Sequence, residues 1–584
     1  MATNSQSSVE NGSDEVKDYI CNACEDHNNV ETSADFYCKQ CDRFYCGNCL
    51  ELHGKVFAKH TVFERFYLYE EWPVSKKLVE FMQTCDEHKD HKIDKFCNLH
   101  RQLCCPQCVS DYHMLCYHSQ CSKVTPISEL TDPQPKDLQK LSARLETVLE
   151  GIICLQSSHE ASIKSLQETC KEHGAFMMEQ MRFKINNTVD EYGNSSVEFM
   201  IKQMRGNINA TSDENEQYIK DEMRSCVLSI LNEFDNSTVK ELKEIKDEVI
   251  SITDSITSSI DKCIVLQNAL TQLLETIYKI GNNKEILLIA SIKCEPKIQH
   301  SMSVLGKSDQ VFTVQGIGRE HNMRMPMDSR VPAIAAICVL PDGQVLCLDY
   351  HNKKVKLLDQ QYRVVSHCGV NACLEDMCQI TPSKVAVIVD DGGNTQEVQF
   401  ITVIQSQLVL GRKFKLGHQC TGIAHHQGDL FIASGTTLYK YSLSGRMFRE
   451  LYSDDTGGAT VYRCAVSPTG DKLYITSYYD DRLITLVRDG KDLDSELAYY
   501  PKYVREVEGP TDIHVTPAGQ VLVCSYLSHT ILQVDWTRSI DPALATLVTW
   551  KKGMVDPYSV CYNNTTSSII VGMCNGNVMV FRVK

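Results

Sequence analysis

Residues 21–60 read CNACEDHNNVETSADFYCKQCDRFYCGNCLELHGKVFAKH, and residues 85–121 read CDEHKDHKIDKFCNLHRQLCCPQCVSDYHMLCYHSQC. The first stretch holds Cys21, Cys24, Cys38, Cys41, Cys46, Cys49, His53 and His60. The second holds Cys85, His88, Cys97, His100, Cys105, Cys108 and His113, and one more donor from Cys116, His118 or Cys121. The distance of Cys116 from His113 makes Cys116 the first choice. Thiolates and imidazoles two residues apart reach one tetrahedral ion from a tight knuckle, so each octet reads as two structural Zn2+ sites. Interleaved pairs of this kind cross-brace. Cys21, Cys24, Cys46 and Cys49 then share one ion, and Cys38, Cys41, His53 and His60 the next. Cys85, His88, Cys105 and Cys108 share a third, and Cys97, His100 and His113 begin a fourth. Cys104 is left as a spare thiol. Four donors per ion leave no open position for hydrolysis, and metal binding supplies most of the folding energy of such small modules.

The chain has 584 residues, 42% of them hydrophobic and 23% charged, with a formal net charge of −16. That length exceeds one core and implies several domains. The acidic balance argues against a strongly basic nucleic-acid protein. Residues 1–18 are polar and acidic and read as a disordered tail, not a secretory signal. No apolar run approaches the roughly 18 residues that cross a bilayer. Of the 28 cysteines, 13 precede residue 125 and the rest are scattered singly. With no secretory pattern these fit reduced, buried thiols in a cytoplasmic protein without a membrane partner.

Beyond the cysteines, residues 131–285 step apolar residues three and four apart. The series runs Leu138, Leu141, Leu145, Val148, Ile152, Leu155, and later Leu242, Ile245, Val249, Ile252, Ile256, Cys263, Leu266, Leu270, Leu273, Ile277, Ile280. Sustained heptads predict a coiled coil, because only the a and d positions face a partner helix. Residues 156–236 are looser but lack Pro, and Thr238 to Glu241 offers a capping box that would open a second helix. Residues 286–330 read as a linker leading into the last domain.

Residues 331–584 repeat. Strand-turn-strand units begin near Ile337, Gln379, Ile423, Cys464, Ile513 and Val560, with Pro and Gly in the turns. Units of this length, each with further strands such as Lys354–Leu358, predict a six-bladed all-β propeller. Ring closure is expected to borrow a strand from residues 300–330. His425-His426 has no third donor nearby and reads as a turn between strands.

The two octets resemble the paired B-box zinc fingers of the tripartite-motif (TRIM) family, type 1 over residues 19–64 and type 2 over residues 80–124. The repeats resemble NHL blades more than WD40 blades. Asp349-Tyr-His-Asn-Lys-Lys-Val is the closest match, and no Trp-Asp signature recurs. With the coil, the resemblance spans nearly the whole chain and implies a RING-less TRIM protein of an invertebrate or molluscan type. The first octet closes with two His, whereas a RING closes with a Cys pair, and only about 20 residues precede it. The resemblance implies an antiparallel homodimer through the coil and a protein partner on the propeller. No catalytic constellation is present: no P-loop, no nucleophile elbow, no HExxH. The expected function is a dimeric scaffold. The alternatives are a ubiquitin-ligase component working with a RING-bearing partner, or an RNA-binding regulator. RNA is the less favoured partner, since the propeller region holds roughly 23 Lys and Arg against 25 Asp and Glu. Lys353, Lys354, Lys356 and the Arg412-Lys413-Phe414-Lys415 run are the residues from which a basic patch would be built.

Overall fold

The computed structural model describes residues 19–28, 32–64, 76–113, 124–130, 135–206, 212–280, 284–308, 310–390, 396–488, 499–505, 507–535 and 543–584. The 1–18 tail and the candidate ligands Cys116, His118 and Cys121 lie outside them. The chain divides into two compact units, Met1–Ile152 with Val265–Ser301, and Ile153–Ile264 with Met302–Lys584.

In the first unit each zinc module builds a three-stranded antiparallel sheet. Phe36–Cys38 lies between Arg43–Tyr45 and Val62–Glu64, and Lys95–Cys97 between Gln102–Cys104 and Val124–Pro126. Three long helices follow: α1 (Pro135–Gly206), α2 (Ser212–Ile280) and α3 (Lys284–Val304). Leu141, Leu145, Val148 and Ile152 of α1 are buried, as are Leu270, Ile277 and Ile280 of α2. The Tyr278 hydroxyl of α2 donates to Glu146 of α1. Arg144 makes a bidentate pair with Glu295 of α3, both bonds 3.0 Å.

Two expectations about this region are corrected. The second helix opens at Ser212 rather than at Thr238, and the Thr238–Glu241 box lies inside it. α1 ends instead at Gly206, a residue type that favours non-helical backbone more strongly than one internal Thr does. The segment read as a linker also contains α3, a helix of 21 residues with Pro296 inside it.

In the second unit six four-stranded antiparallel sheets form the blades of a propeller. Their inner strands are Ile334–Val339, Cys373–Thr381, Gly422–His426, Arg463–Val466, Pro510–Val515 and Pro557–Asn563. Each packs against the next, and the sixth against the first, so the ring is closed. The sixth blade takes its outer strand from Val314–Asn322, which pairs antiparallel with Asn577–Val583. Buried aliphatic clusters fill the gaps between neighbouring blades.

A belt of polar side chains ties the inner strands together where they begin. Asp376 accepts from the Ile423 N–H of the next blade at 2.8 Å, and Asp512 accepts from the Val560 N–H at 2.8 Å. Ser559 donates to the Ile334 carbonyl at 2.9 Å, passing from the sixth blade to the first. Arg463, fully buried, donates to the Thr421 and Thr511 carbonyls on either side of its own blade. Its guanidinium lies 3.5 Å from Asp376. Removing a buried donor or acceptor from such a belt exposes its partner to the full cost of desolvation.

α1 and α2 also pack on this unit. Ile163 and Leu166, with Val249, Ile252, Ile256 and Ile260, join one core with Ile388, Phe400, Leu430 and Ile432 of the second and third blades. Each fully buried aliphatic side chain there contributes about 1.5–3 kcal/mol relative to exposure. Glu248, 2% exposed, accepts from Lys384 at 2.9 Å and from Arg412 at 2.7 Å. The Arg412 guanidinium in turn covers the Phe400 ring at 3.8 Å.

The run Asp349–Lys356 shows how the fold pairs basic residues of the sequence with carboxylates. Asp349 caps the turn between strands, accepting from Asn352 N–H at 3.2 Å and Asn352 Nδ2 at 2.8 Å. Lys356 is fully buried between Asp349 (2.6 Å) and Asp328 (2.7 Å), and Lys354 also pairs with Asp328. Replacing Lys356 by Met leaves two buried carboxylates facing each other, so K356M should destabilise the propeller by about 3–5 kcal/mol. Denaturant unfolding measures this, and a loss below 1 kcal/mol would contradict the buried triad.

His425 and His514 line an axial cavity of ≈ 560 Å³ bounded by the inner strands. Desolvation holds both imidazoles down to about 4, below the ordinary value of 6.5. A folded-state pKa below the unfolded one gives stability that is complete above 6.5 and lost as pH falls through 4. Between pH 6.5 and 4 the wild type should therefore lose about 1–3 kcal/mol relative to H514Q, which does not titrate there. Parallel denaturation series at several pH values test this, and a constant difference between the two proteins would reject it.

Candidate metal centres

Three clusters of four donors form among the described residues: Cys21, Cys24, Cys46 and Cys49; Cys38, Cys41, His53 and His60; and Cys85, His88, Cys105 and Cys108. Within each cluster all donor atoms lie within 4.8 Å of one another. Two thiolates about 2.3 Å from a tetrahedral zinc stand about 3.8 Å apart. The Cys24 sulfur lies 3.8 Å from Cys46 and 3.5 Å from Cys49, and Cys85 lies 3.5 Å from Cys108. The donor sets fit Zn2+, and they are closed.

Local backbone explains how each donor arrives. Cys38 and Cys41 sit on a hairpin that turns at Asp42 with φ 51°, and Cys97 and His100 on one that turns at Arg101 with φ 51°. Cys46 caps the helix Gly47–Val56, whose first turn offers Cys49 and whose next turn offers His53. One short helix thus serves two sites. In the second module Cys105 caps the turn Pro106–Cys108, and its sulfur accepts the Cys108 N–H at 3.4 Å. A π-helical run, Val109–His113, follows. It absorbs one additional residue, because Cys108 to His113 is one step longer than Cys49 to His53.

The imidazoles use different ring nitrogens. His53 turns Nε2 to Cys41 (3.3 Å), whereas His60 turns Nδ1 to Cys41 (3.2 Å) and Cys38 (3.5 Å). Desolvation, helped by His60, lowers the His53 pKa and favours the neutral, ligating form. His88 turns Nδ1 to Cys108 (3.2 Å), and its Nε2 faces the Asp111 carboxylate at 3.3 Å. A carboxylate on the far nitrogen fixes the tautomer and strengthens the ligand. Burial acts against the Cys85 thiolate, but the backbone N–H groups of His88 and Glu87 outweigh it and bring the thiol down to about 7. Asp111 escaped the sequence reading, since a carboxylate three residues after a Cys carries no zinc signature of its own.

The remaining candidates are only partly gathered. Cys97 lies 3.4 Å from His100 Nδ1. The backbone of His113 is helical, while Cys116, His118 and Cys121 fall outside the described residues. Cys104 is buried outside the clusters, and burial pushes its thiol up to about 11. His425 and His426 end the inner strand Gly422–His426 rather than lying in a solvent-facing turn, and His425 Nε2 accepts the Gly428 N–H of the following turn at 3.0 Å. The second zinc module also grips α3: Lys293 donates to the Thr84 carbonyl (2.9 Å) and pairs with Asp86 (3.0 Å).

No family model matches the chain. Among curated proteins it is 30% identical over 104 residues to the E3 ubiquitin-protein ligase TRIM33 of Homo sapiens and to that of Mus musculus. That stretch is 18% of this chain, and only 9% and 8% of the length of those relatives. Among solved structures, virginiamycin B lyase from Staphylococcus aureus aligns with a TM-score of 0.34 at 10% identity, over 47% of this chain and 99% of its own. An auxiliary nutrient binding protein from Bacteroides ovatus aligns at 0.36 and 13% identity, over 46% and 78%. Nothing about activity follows from likeness at that level. The zinc-binding Cys/His arrangement is TRIM-like. Native mass spectrometry should find one zinc for each of the three clusters. C49S should lose one ion and make residues 19–64 sensitive to protease, with the propeller unfolding unchanged. D111N should weaken the third site about 10- to 100-fold, and full zinc retention by C49S would contradict the assignment.

Proposed function

We propose that the protein is a zinc-organised scaffold that captures a protein partner through its propeller. The reading is carried by closed four-donor clusters joined in one chain to a six-bladed ring. Closed sites organise and do not hydrolyse. A homodimer through α1 and α2, in the cytoplasm, would let two modest propeller contacts act as one avid one. NHL ancestry for the blades belongs to the same proposal.

Pairing of the basic residues favours a protein over RNA. Lys354, Lys356, Arg412 and Lys413 are each engaged by carboxylates at 2.6–2.8 Å. Phosphate recognition needs such cations unpaired and on one face. The TRIM33 match supports a second reading, a ubiquitin-ligase component that depends on a RING-bearing partner.

Selection of displayed random peptides on the full-length protein tests the scaffold reading. Enriched sequences that compete for one propeller site are expected, and failure to enrich any would sink it. Light scattering should give a dimer of about twice the 66.0 kDa chain. Incubation with ubiquitin-charged E2 alone should give no faster discharge than E2 by itself; acceleration would replace the scaffold with the ligase. Single-stranded RNA should show no binding that weakens steeply with salt.

A further inference from the structure

The cavity on the propeller axis is an uncharged chamber. It measures ≈ 560 Å³ and draws its lining from all six inner strands and the turns that follow them. In its wall Met377, Cys464 and Ile513 come directly after the belt residues Asp376, Arg463 and Asp512. The belt therefore stands at one end of the chamber, and the turns at Pro341, Pro517 and Asn564 stand at the other. No Asp, Glu, Lys or Arg lines it among the described residues. Its volume falls in the range of about 300–1,000 Å³ found for small-molecule sites.

Most of the wall is apolar. Val339, Val466 and Val515 are half-buried: one side of each packs on a cluster between blades, and the other faces the axis. Cys338, Cys378, Cys464 and Cys561 also line the chamber, and thiols in such surroundings behave as small hydrophobes. The groups of three or more close donors found among the described residues all lie in the zinc modules, so these sulfurs build no metal site. Met377 adds a thioether, which packs favourably against the edge of an aromatic ring.

Two imidazoles interrupt this wall, and they differ. His425 is already engaged, because its Nε2 accepts the Gly428 N–H at 3.0 Å. His514 is not: its Nε2 is buried with no hydrogen-bond partner among the described residues. Desolvation opposes charge on the His514 ring and keeps it neutral at physiological pH. A neutral imidazole with its proton on Nδ1 offers Nε2 as an acceptor. A buried polar atom left unpaired carries a desolvation cost that an incoming hydroxyl removes.

We propose that the axial chamber binds one small uncharged phenol-like molecule, its apolar body between the valines and cysteines and its hydroxyl donating to His514 Nε2. This site is separate from the capture of a protein partner and does not depend on it. A carboxylate or an ammonium would leave water for a wall that holds no counter-charge, at a cost its apolar body does not offset. A plain hydrocarbon would fill the volume and leave Nε2 unpaired. A neutral ring with one hydroxyl answers both demands.

A ligand-observed NMR titration of the full-length protein tests this with three probes of similar size: para-butylphenol, its methyl ether and para-butylbenzoate. The phenol should bind saturably at one site per chain, about fivefold tighter than the ether, and the benzoate should not bind. H514F keeps a ring and removes the nitrogen, so it should bring phenol and ether to equal affinity. V339F and V515F, on different blades, narrow the chamber, and each should weaken the phenol at least fivefold with zinc content unchanged. Should one of the two fail to fold, the other reads the same volume. No saturable binding of the phenol would overturn the proposal and leave the chamber to water. Equal affinity for phenol and ether in the wild type, or a phenol preference that survives in H514F, would overturn the contact with His514. Binding indifferent to the valine variants would place the ligand outside the chamber, and tighter binding of the benzoate would overturn the uncharged ligand.

Discussion

The ring of blades holds only because its two ends are the same blade. Val314–Asn322 completes a sheet whose other strands arrive at the end of the sequence. Until that pairing forms, the sixth blade presents Asn577–Val583 as an open edge. The closure is non-covalent and spans the longest loop in the propeller, so its entropy cost is met by the whole interblade core at once. The polar belt of Asp376, Arg463, Asp512 and Ser559 adds direction to that closure. Apolar clusters between blades tolerate small slips; hydrogen bonds from one inner strand to the next do not.

Much of this was legible in the sequence, and the reasons are local. Zinc ligands announce themselves because tetrahedral geometry restricts spacing, so the sequence alone pairs Cys21 and Cys24 with Cys46 and Cys49. The blades announce themselves through turn residues: Gly343, Gly470 and Gly519 all take positive φ, as the Pro-x-Gly turns require. The second helix start was misplaced because a capping box is a few atoms' preference, which a continuous helix overrides when its face is buried elsewhere. α3 was read as linker because its apolar residues, Ile286, Leu287, Ile289 and Ala290, follow no single stripe and are all buried.

Residues that act across long sequence distances were not legible. Lys356 and Arg412 looked like free cations, yet their partners Asp328, Asp349 and Glu248 are set by the fold. Glu248 sits inside a heptad run as an ordinary surface residue would. Its burial follows from blades that lie more than a hundred residues away. Arg463 was likewise one residue among many until the ring placed it 3.5 Å from Asp376, between the Thr421 and Thr511 carbonyls.

The closing strand has a mechanical meaning as well. Tension that outlasts the packing of α1 and α2 on the blades and the Ser308–Ala518 bond would reach the ring at Val314–Asn322. Such load would fall on the ladder between Val314–Asn322 and Asn577–Val583 rather than on any inner strand. The latch would be the first part of the ring to peel, and the five other blades would keep their own four strands while it did.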